Sequence, residues 1–384
     1  MNILRRSVHC ICIAALMKLA LTPPGRWFRE YQRRHKINHF VALSAVFLIL
    51  YNEYVSHWLQ STYWPQIPVS ITEEDNLKVL FVTDPQLVGF DNEPHLLGII
   101  TRYDSDRYMR RTFQSSISYV KPDVVVFLGD LLDEGSISSD QQYQIYVDRF
   151  RQVFHEAYQT KFEPVFISGD NDVGGEGSDP MTTSKVQRFE KYFPSKRVKT
   201  AKFVDIIDAN IDLNKFATEI KKDLKNVATQ TDDKQLKIVI NHSGILYRER
   251  YVLLNVIETL KPAIIFTSHT HVSRLWTCPD CYRNHRPNSI HLKVDRLTSN
   301  KFQTFPVNND DLKEIVVPTC SYRMGVPDMG YGFAIFNKSG RFDYAVLWQV
   351  QRYPQLWSYL AFLIVASVIK LTLFFSNRSR FLFR

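Results

Sequence analysis

The chain has 384 residues, enough for one large domain or two modest ones, and its hydrophobic content of 45% indicates a folded core. The net charge of +9 does not indicate a nucleic-acid-binding surface, because most of the excess positive charge lies before Phe40, where eight Lys and Arg residues accompany one acid, Glu30. A basic block beside an apolar segment is typical of the cytosolic flank of a membrane protein.

Two apolar segments reach the length of about 20 residues that a bilayer-spanning helix needs. The first, FVALSAVFLILYNEYVSHWL, covers residues 40–59 and carries Asn52 and Glu53 in its second half, so a buried core helix is the alternative. The second, LWSYLAFLIVASVIKLTLFF, covers residues 356–375, and its single charge, Lys370, lies near one end. We predict that both segments are transmembrane helices.

The distribution of Lys and Arg predicts how these helices are oriented. Residues 1–39 and the tail of residues 376–384 are basic, whereas the linker of residues 60–76 contains no Lys or Arg. The positive-inside rule therefore places both termini in the cytosol and residues 77–350 on the luminal or outer side. Residues 8–21 resemble a signal peptide without a cleavage site, and their insertion in the membrane is left open.

Cys278 and Cys281 form the sequence CPDC within the predicted luminal region. This spacing is half of a zinc knuckle, and no second half follows it. A local disulfide or two ordinary thiols is therefore favoured over a zinc site.

Strands and helices are predicted to alternate after the linker. The predicted strands are residues 77–84, 122–130, 163–170, 236–244 and 262–271, and the predicted helices are residues 104–120, 140–158 and 250–261. The helix at Asp104 is expected to start at an Asp or Ser cap, and residues 205–235 are expected to be a surface excursion because they are rich in Lys and Asp. Continuous apolar strands separated by helices indicate an α/β fold with a sheet covered on both faces.

Each predicted strand ends in a side chain that could bind a metal ion. These side chains are Asp84, Asp130 and Asp170 after the first three strands, His242 after the fourth, and His269 and His271 after the fifth. Ligands in open α/β sheets bind at the carboxyl ends of the strands. Carboxylates mixed with imidazoles suit a pair of first-row divalent ions, of which we expect Mn, with Fe or Zn as alternatives. Such a pair can hold a phosphate ester during hydrolysis.

The motifs at these strand ends resemble, in order and spacing, those of the calcineurin-like metallophosphoesterases. They are DPQ at Asp84–Gln86, GDLLDEG at Gly129–Gly135, GDND at Gly169–Asp172, NHSG at Asn241–Gly244 and SHTH at Ser268–His271. The resemblance implies an α/β fold, a four-layer β-sandwich flanked by helices, here with transmembrane helices at both ends. It implies one metal ion held by Asp84, Asp130 and His271. A second ion would be held by Asp170, His242 and His269, with Asp130 bridging the two.

The sequence departs from the family pattern at three positions: Gln86 replaces a histidine, Asp170 an asparagine, and Asn171 the histidine thought to protonate the leaving group. Asn171 can donate a hydrogen bond to a phosphorane oxygen but cannot transfer a proton at pH 7. We predict that Asn171 and Asp172 are catalytic, and that Gln86 and Asp133 bind a metal or orient its ligands. A turn or helix-capping role is the alternative for Asp133. A slower enzyme, an easy leaving group, an inactive site and Asn171 as a metal ligand all remain open.

Further segments resemble one branch of this family, the membrane-anchored phosphodiesterases that remove ethanolamine phosphate from the glycan of GPI anchors, which are related to the fungal cell division control protein 1 group. They are DPQLVGF, FLGDLLDEG, RFEKYF at Arg188–Phe193 and VPTCSYR. The resemblance implies that GPI-anchored proteins or the GPI glycan are the substrate, that the enzyme resides in the endoplasmic reticulum or Golgi with a luminal catalytic domain, and that it contacts cargo receptors and no nucleic acid. Two alternatives remain: a weak or inactive binder of GPI-linked cargo, and a phosphoesterase with another substrate.

Overall fold

The computed structural model describes residues 26–67, 75–209, 211, 217–246, 250–279, 281, 293–297, 299–307 and 311–382. The chain divides into two compact units. In its described residues, 26–56 and 354–382, one unit is helical, and the other unit, within His57–Tyr353, is mixed α/β. The predicted domain boundaries, with a luminal domain of residues 77–350, stay a prediction.

The described elements have the following bounds. The helices are α1 (Arg26–Leu50), α2 (Ser56–Ser61), α3 (Leu96–Val120), α4 (Asp140–Val153), α5 (Asp170–Val173), α6 (Thr183–Tyr192), α7 (Ala217–Ala228), α8 (Arg250–Leu260) and α9 (Arg352–Leu382), with a π-helical turn at Tyr51–Val55 and a 3₁₀ turn at His155–Gln159. The strands are β1 (Asn76–Val82), β2 (Val124–Leu128), β3 (Val165–Ile167), β4 (Val198–Ala201), β5 (Val204–Asp208), β6 (Leu236–Ile240), β7 (Ile264–Thr267), β8 (Arg274–Cys278), β9 (Lys293–Arg296), β10 (Gln303–Pro306), β11 (Leu312–Val316), β12 (Gly330–Asn337) and β13 (Arg341–Trp348).

Two helical stretches, Asn38–Ser61 and Arg352–Thr372, are long and apolar enough to cross a membrane. They contain the predicted segment of residues 40–59 and most of residues 356–375. Within the apolar 18-residue window of each stretch, only 11% of the first and 6% of the second is buried, whereas the core helix of a soluble protein is mostly buried. Length and composition do not test insertion itself, so the crossing stays a prediction, and residues 8–21 lie outside the described residues.

Asn52 and Glu53, the polar residues within the first apolar segment, are buried inside the helical unit. The Asn52 side-chain amide donates a hydrogen bond to Ser358 Oγ at 2.7 Å, and the Tyr359 hydroxyl donates one to Glu53 Oε1 at 2.9 Å. Polar side chains of membrane helices are typically satisfied in this way, by a neighbouring helix. Their presence is therefore compatible with an apolar outer surface on α1.

Two sheets form the framework of the α/β unit, which confirms the α/β part of the predicted fold class, and the transmembrane helices stay a prediction. The six-stranded sheet has the order β10-β13-β12-β1-β2-β3, and the seven-stranded sheet has the order β4-β5-β6-β7-β11-β8-β9. Strands β1, β2 and β3 are parallel, as are β6 and β7. The strands predicted to carry metal ligands are therefore divided between two sheets.

The main apolar core lies between the two sheets. Phe81 of β1 stacks on Phe266 of β7 with ring centroids 4.2 Å apart, and both belong to one buried cluster. On the other face of the six-stranded sheet, Phe127 of β2 packs against Phe150 of α4 at 5.2 Å. A second buried cluster covers the other face of the seven-stranded sheet with α7 and α8. Helices thus lie outside both sheets.

The prediction that a helix begins at an Asp or Ser cap near Asp104 is wrong. Helix α3 begins at Leu96, after His95, whose side chain makes no capping hydrogen bond. The additional residues at the start of the helix are mostly apolar and exposed, so neither a polar cap nor a buried face marked them in the sequence.

The prediction that residues 205–235 form a surface excursion is also wrong. This segment supplies most of β5, which pairs with β4 and β6 inside the seven-stranded sheet. The buried carboxylate of Asp205 accepts hydrogen bonds from Thr200 Oγ1 at 2.6 Å and from the backbone N–H of Asp232 at 3.1 Å. An acidic residue is compatible with a strand here because its charge is compensated locally.

Cys278 and Cys281 form a disulfide, the first of the two alternatives that were favoured over a zinc site. Cys320 is a buried free thiol. Two thiols joined to each other are not available as zinc ligands.

Candidate metal centre

The predicted metal ligands lie at the carboxyl ends of strands from both sheets. Several have backbone dihedrals in the left-handed region: φ is 45° at Asp84, 50° at Asp130, 66° at His269 and 63° at His271. This conformation costs roughly 1–2 kcal/mol per residue for side chains other than glycine. Strained backbone of this kind is concentrated at functional sites, where it aims side chains that regular structure would point elsewhere.

Four predicted ligands form one cluster. Asp130, Asp170, His242 and His269 each offer a ligand atom, and these atoms all lie within 4.8 Å of one another. Asp170 Oδ1 lies 3.0 Å from His242 Nε2 and 3.1 Å from His269 Nδ1. Two carboxylates and two imidazoles converging on one point form the mixed donor set that suits first-row divalent ions.

The environment of His242 leaves one ring nitrogen free to bind a metal ion. Its Nδ1 lies 2.8 Å from the backbone carbonyl of Leu128, which can only accept a hydrogen bond. Nδ1 therefore carries the proton, and the lone pair of a neutral ring is on Nε2, which points at Asp170. Metal-binding histidines typically have their other nitrogen held by a carbonyl in this way.

Asp84, two residues after β1, lies next to the cluster. Its side chain is fully buried, and its Oδ2 has no hydrogen-bond partner among the described residues. Its Oδ1 lies 3.9 Å from His242 Nδ1. A buried carboxylate oxygen without a partner is costly, and a cation between Asp84 and the other carboxylates would relieve that cost. The residues present therefore fit a divalent ion.

The charges in the cluster shift its pKa values in the directions expected of a metal-free acidic site. Burial raises the pKa of Asp84 to about 8. Burial lowers the pKa of His242, but the surrounding carboxylates, Asp130 first, outweigh it and raise the pKa to about 10. At neutral pH the Asp84 carboxyl and the His242 ring therefore hold protons that a bound cation would displace.

His271 and Gln86 lie together beside the cluster. Gln86 Nε2 lies 3.5 Å from His271 Nε2 and donates a hydrogen bond to Asp130 Oδ2 at 3.1 Å. Burial, together with the charges of His269 and His242, lowers the pKa of His271. A neutral imidazole is the form that binds metal. This placement is compatible with a second ion near Asp84 and His271, and that role of His271 stays a prediction.

The two residues predicted to be catalytic occupy different environments. Asn171 lies at the cluster and donates hydrogen bonds to Asp130 from its backbone and its side chain. Asp172 is fully buried, and its carboxylate accepts hydrogen bonds from the backbone N–H groups of Leu131, Leu132 and Gly169. A catalytic role for Asp172 stays a prediction, and its contacts favour a role in holding the loops after β2 and β3.

Asp133 is half-buried, accepts a hydrogen bond from Asn92 Nδ2 at 3.2 Å, and is not a member of the four-residue cluster. Its predicted role in orienting ligands stays a prediction. The neighbouring Glu134, which sequence reasoning missed, is fully buried. It accepts hydrogen bonds from Tyr146 Oη and from the backbone N–H groups of residues 90–92. It therefore fixes the loop that follows Gln86, and only its place in the GDLLDEG motif could have signalled it.

Glycine at position 169 is required by the close packing of the site. A Cβ at Gly169 would lie 2.1 Å from Asp130 Oδ1 and 2.4 Å from the Asp130 backbone nitrogen. The glycine thus lets the loop after β3 approach the Asp130 carboxylate.

A cleft of about 100 Å³ opens beside the cluster. Its lining includes Asp170, His242, Gly174, Met181 and Asn241. Asp170, Asn241 and His242 contribute polar groups to this lining, and Gly174 and Gly175 belong to the loop after α5. The cleft can therefore admit a small polar group to the carboxylate and imidazole ligands.

Comparison with known proteins gives one family. The family model for calcineurin-like phosphoesterases matches residues 77–273. The chain is 31% identical over 189 residues to the Metallophosphoesterase 1 homolog of Drosophila melanogaster, which covers 47% of this chain and 49% of that protein. It is 30% identical over 197 residues to Metallophosphoesterase 1 of Mus musculus, covering 48% of each. The chain thus spans about half the length of the curated relatives it matches.

Among solved structures, the NAD nucleotidase of Haemophilus influenzae is similar with a TM-score of 0.36 and 11% sequence identity. That match covers 71% of this chain and 49% of the nucleotidase chain. A similarity at this level carries no argument about substrate or mechanism.

Proposed function

This chain belongs to the calcineurin-like phosphoesterase family, and we propose that it is a membrane-anchored, metal-dependent phosphodiesterase. The observation that carries the proposal is the convergence of Asp130, Asp170, His242 and His269 on one point. Asp84, buried next to the cluster with an oxygen that has no hydrogen-bond partner among the described residues, also supports it. Two divalent ions, of which Mn is the first candidate, would be held by these residues together with His271.

In this proposal the ions supply Lewis acidity toward phosphate oxygens and lower the pKa of a bound water. The chain's own residues do the positioning. Asp130 bridges the two halves of the centre, and Asn171 and Gln86 hold its carboxylate by hydrogen bonds of 2.9–3.1 Å. The Leu128 carbonyl keeps the His242 proton on Nδ1, so that Nε2 faces the cluster.

Hydrolysis by the purified full-length chain tests this reaction class. With Mn²⁺ and bis-p-nitrophenyl phosphate, we expect turnover that Asp130→Ala lowers by about 100-fold or more, the scale of losing one major electrostatic group. Asp148→Ala, at an exposed position on α4, is the matched control and should retain activity. No turnover in the unaltered protein, or equal turnover in both variants, would contradict the catalytic proposal.

We further propose that the substrate is ethanolamine phosphate on the GPI glycan, and that GPI-anchored proteins and cargo receptors are the partners. The sequence resemblance to that branch supports this step, as do the two apolar helices that would anchor the domain in the endoplasmic reticulum or Golgi. Cells lacking the protein should accumulate GPI glycans that retain ethanolamine phosphate. Unchanged glycans would reject this substrate and leave the hydrolase chemistry intact.

A second candidate function is non-catalytic binding of GPI-linked cargo. It is favoured by the amides of Gln86 and Asn171, which stand where the family pattern has histidines. Metal analysis of the purified protein distinguishes the two candidates. Two ions per chain support the enzyme, and fewer than two, with no turnover, support the binder.

A further inference from the structure

The first turns of α3 form an exposed apolar surface on the α/β unit, which we call the α3 patch. Its members and their exposed fractions are Leu96 (83%), Leu97 (66%), Ile99 (60%), Ile100 (64%) and Tyr103 (70%). Other exposed large apolar side chains of this unit are separated along the chain, as Ile137, Ile145, Tyr158 and Val294 are. A continuous exposed apolar patch marks an interaction surface more often than a scattered one does.

The α3 patch is held firmly by the fold. Arg102, the one charged residue between Leu96 and Tyr103, donates hydrogen bonds to the carbonyls of Gly89 and Glu93, both at 3.1 Å. A Cβ at Gly98 would lie 2.0 Å from the Glu93 carbonyl oxygen, so the helix packs directly on the preceding loop. The polar face of this helix start is thus turned to the domain, and its apolar face to the exterior.

The same helix contacts residues at or next to the ends of the two apolar helical stretches. Arg352 Nε donates a hydrogen bond to Asp104 Oδ2 at 3.1 Å, and the Tyr108 hydroxyl donates one to the Val350 carbonyl at 2.7 Å. The His57 ring lies 6.1 Å from the Tyr108 ring. The α3 patch ends at Tyr103, next to Asp104. Since a helix rises about 1.5 Å per residue, its first residue, Leu96, lies about 12 Å from Asp104 along the helix axis.

We propose that the α3 patch is a membrane-contact surface that inserts into the interfacial zone of the bilayer that the two apolar helices cross. The proposal rests on the membrane anchoring proposed above. Exposed aromatic side chains at the ends of the apolar stretches, Trp58, Tyr63 and Tyr353, support a lipid occupant, because Trp and Tyr are enriched at bilayer interfaces. A helix that lies in the interface binds the membrane by burying its apolar face at the boundary between the lipid headgroups and the acyl chains.

This contact would also place the metal centre relative to the membrane. Residues 87–95 alone separate Gln86, at the edge of the cluster, from the start of α3. The Glu134 carboxylate fixes the middle of that loop by accepting hydrogen bonds from the backbone N–H groups of residues 90–92. A domain held on the bilayer by α3 therefore presents this edge of its site to phosphodiesters that are themselves attached to the membrane.

Fluorescence quenching in a bilayer tests the proposal. The full-length chain, with Cys10→Ser and Cys12→Ser, would carry Leu97→Cys labelled with an environment-sensitive dye and be reconstituted into phosphatidylcholine nanodiscs containing a doxyl-labelled lipid. Ile145→Cys, an exposed apolar position on α4, is the matched control. We expect quenching at position 97 to exceed that at position 145 by about threefold or more, because an interfacial helix sits within the acyl boundary. A second label at Ile100→Cys should behave like position 97.

Each outcome decides the proposal. Equal quenching at positions 97 and 145 overturns it, and efficient disulfide crosslinking between two Leu97→Cys chains assigns the patch to a second copy instead. Extraction of the chain by alkaline carbonate would reject the anchoring and this proposal together. Hydrolysis of bis-p-nitrophenyl phosphate by each labelled protein reports separately on the fold and on the proposed reaction.

Discussion

Asn171 donates two hydrogen bonds to Asp130: its backbone N–H reaches Oδ1 at 2.9 Å, and its side-chain amide reaches Oδ2 at 3.0 Å. Asn171, which replaces the expected proton donor, therefore uses both its backbone N–H and its side-chain amide to bind the Asp130 carboxylate. An amide in this position cannot move a proton, but it can hold the Asp130 carboxylate in place.

Asn171→Ala should weaken metal binding by roughly 10- to 100-fold, because a hydrogen bond to a charged group is worth about 1.5–3 kcal/mol. Isothermal titration with Mn²⁺ measures the change. Asn92→Ala, which removes an amide from Asp133 outside the cluster, should leave the affinity near that of the unaltered protein. A drop in stoichiometry by one ion in Asn171→Ala would instead identify Asn171 as a ligand.

Metal affinity should rise with pH. The pKa values of Asp84, about 8, and His242, about 10, lie above neutrality in the metal-free protein, so both groups are mainly protonated at pH 7. An incoming cation must displace those protons, and log K should rise by up to about 2 per pH unit below pH 8. Titrations in buffers of different ionisation enthalpy measure the proton release. Affinity that is constant between pH 6 and pH 8 would contradict this assignment.

Asp172→Asn should lower the free energy of unfolding by about 1–3 kcal/mol, since it turns an amide NH₂ toward buried N–H donors that lose their acceptor. Burial raises the pKa of Asp172 to about 7, so in the unaltered protein this group favours folding less as pH rises from about 4 to 7. Asp172→Asn should remove that slope. Denaturation of the detergent-solubilised chain checks both effects, with Asp148→Asn as the exposed control. If stability is unchanged while turnover is lost, Asp172 is catalytic as first predicted.

Gly169→Ala should abolish metal binding, because its Cβ would lie 2.1 Å from Asp130 Oδ1 and the nearby Asp130 backbone cannot move away. We expect a loss of activity of about 100-fold or more, comparable to losing one major electrostatic group. Gly177→Ala is the matched control: φ is +60° there and nothing lies within 4 Å of the added Cβ. That variant should cost only the roughly 1–2 kcal/mol of left-handed strain. Equal metal content in the two variants would show that the loop after β3 is more compliant than its packing indicates.

The strands that carry the site were predictable because each is a short, uninterrupted apolar run, a local property of the chain. The start of α3 and the position of β5 were not. Leu96 follows no polar cap, and Asp205 becomes compatible with a sheet only through Thr200 and the Asp232 backbone. The start of α3 was missed because no capping side chain marks it. The position of β5 was missed because the residues that satisfy Asp205 lie outside the strand.

The sequence by itself determined the types and order of the candidate ligands, since the residue that ends a strand is a local feature. Only the tertiary structure decided which ligands meet. Asp84, Asp130 and Asp170 come from one sheet, and His242, His269 and His271 from the other, so their convergence depends on how the two sheets pack through Phe81 and Phe266. It likewise decided that Asn171 holds Asp130 while Asp172 is buried beneath the loops. Side chains one residue apart point in different directions, and long-range packing, which local sequence does not encode, selects which of them reaches the Asp130 side chain.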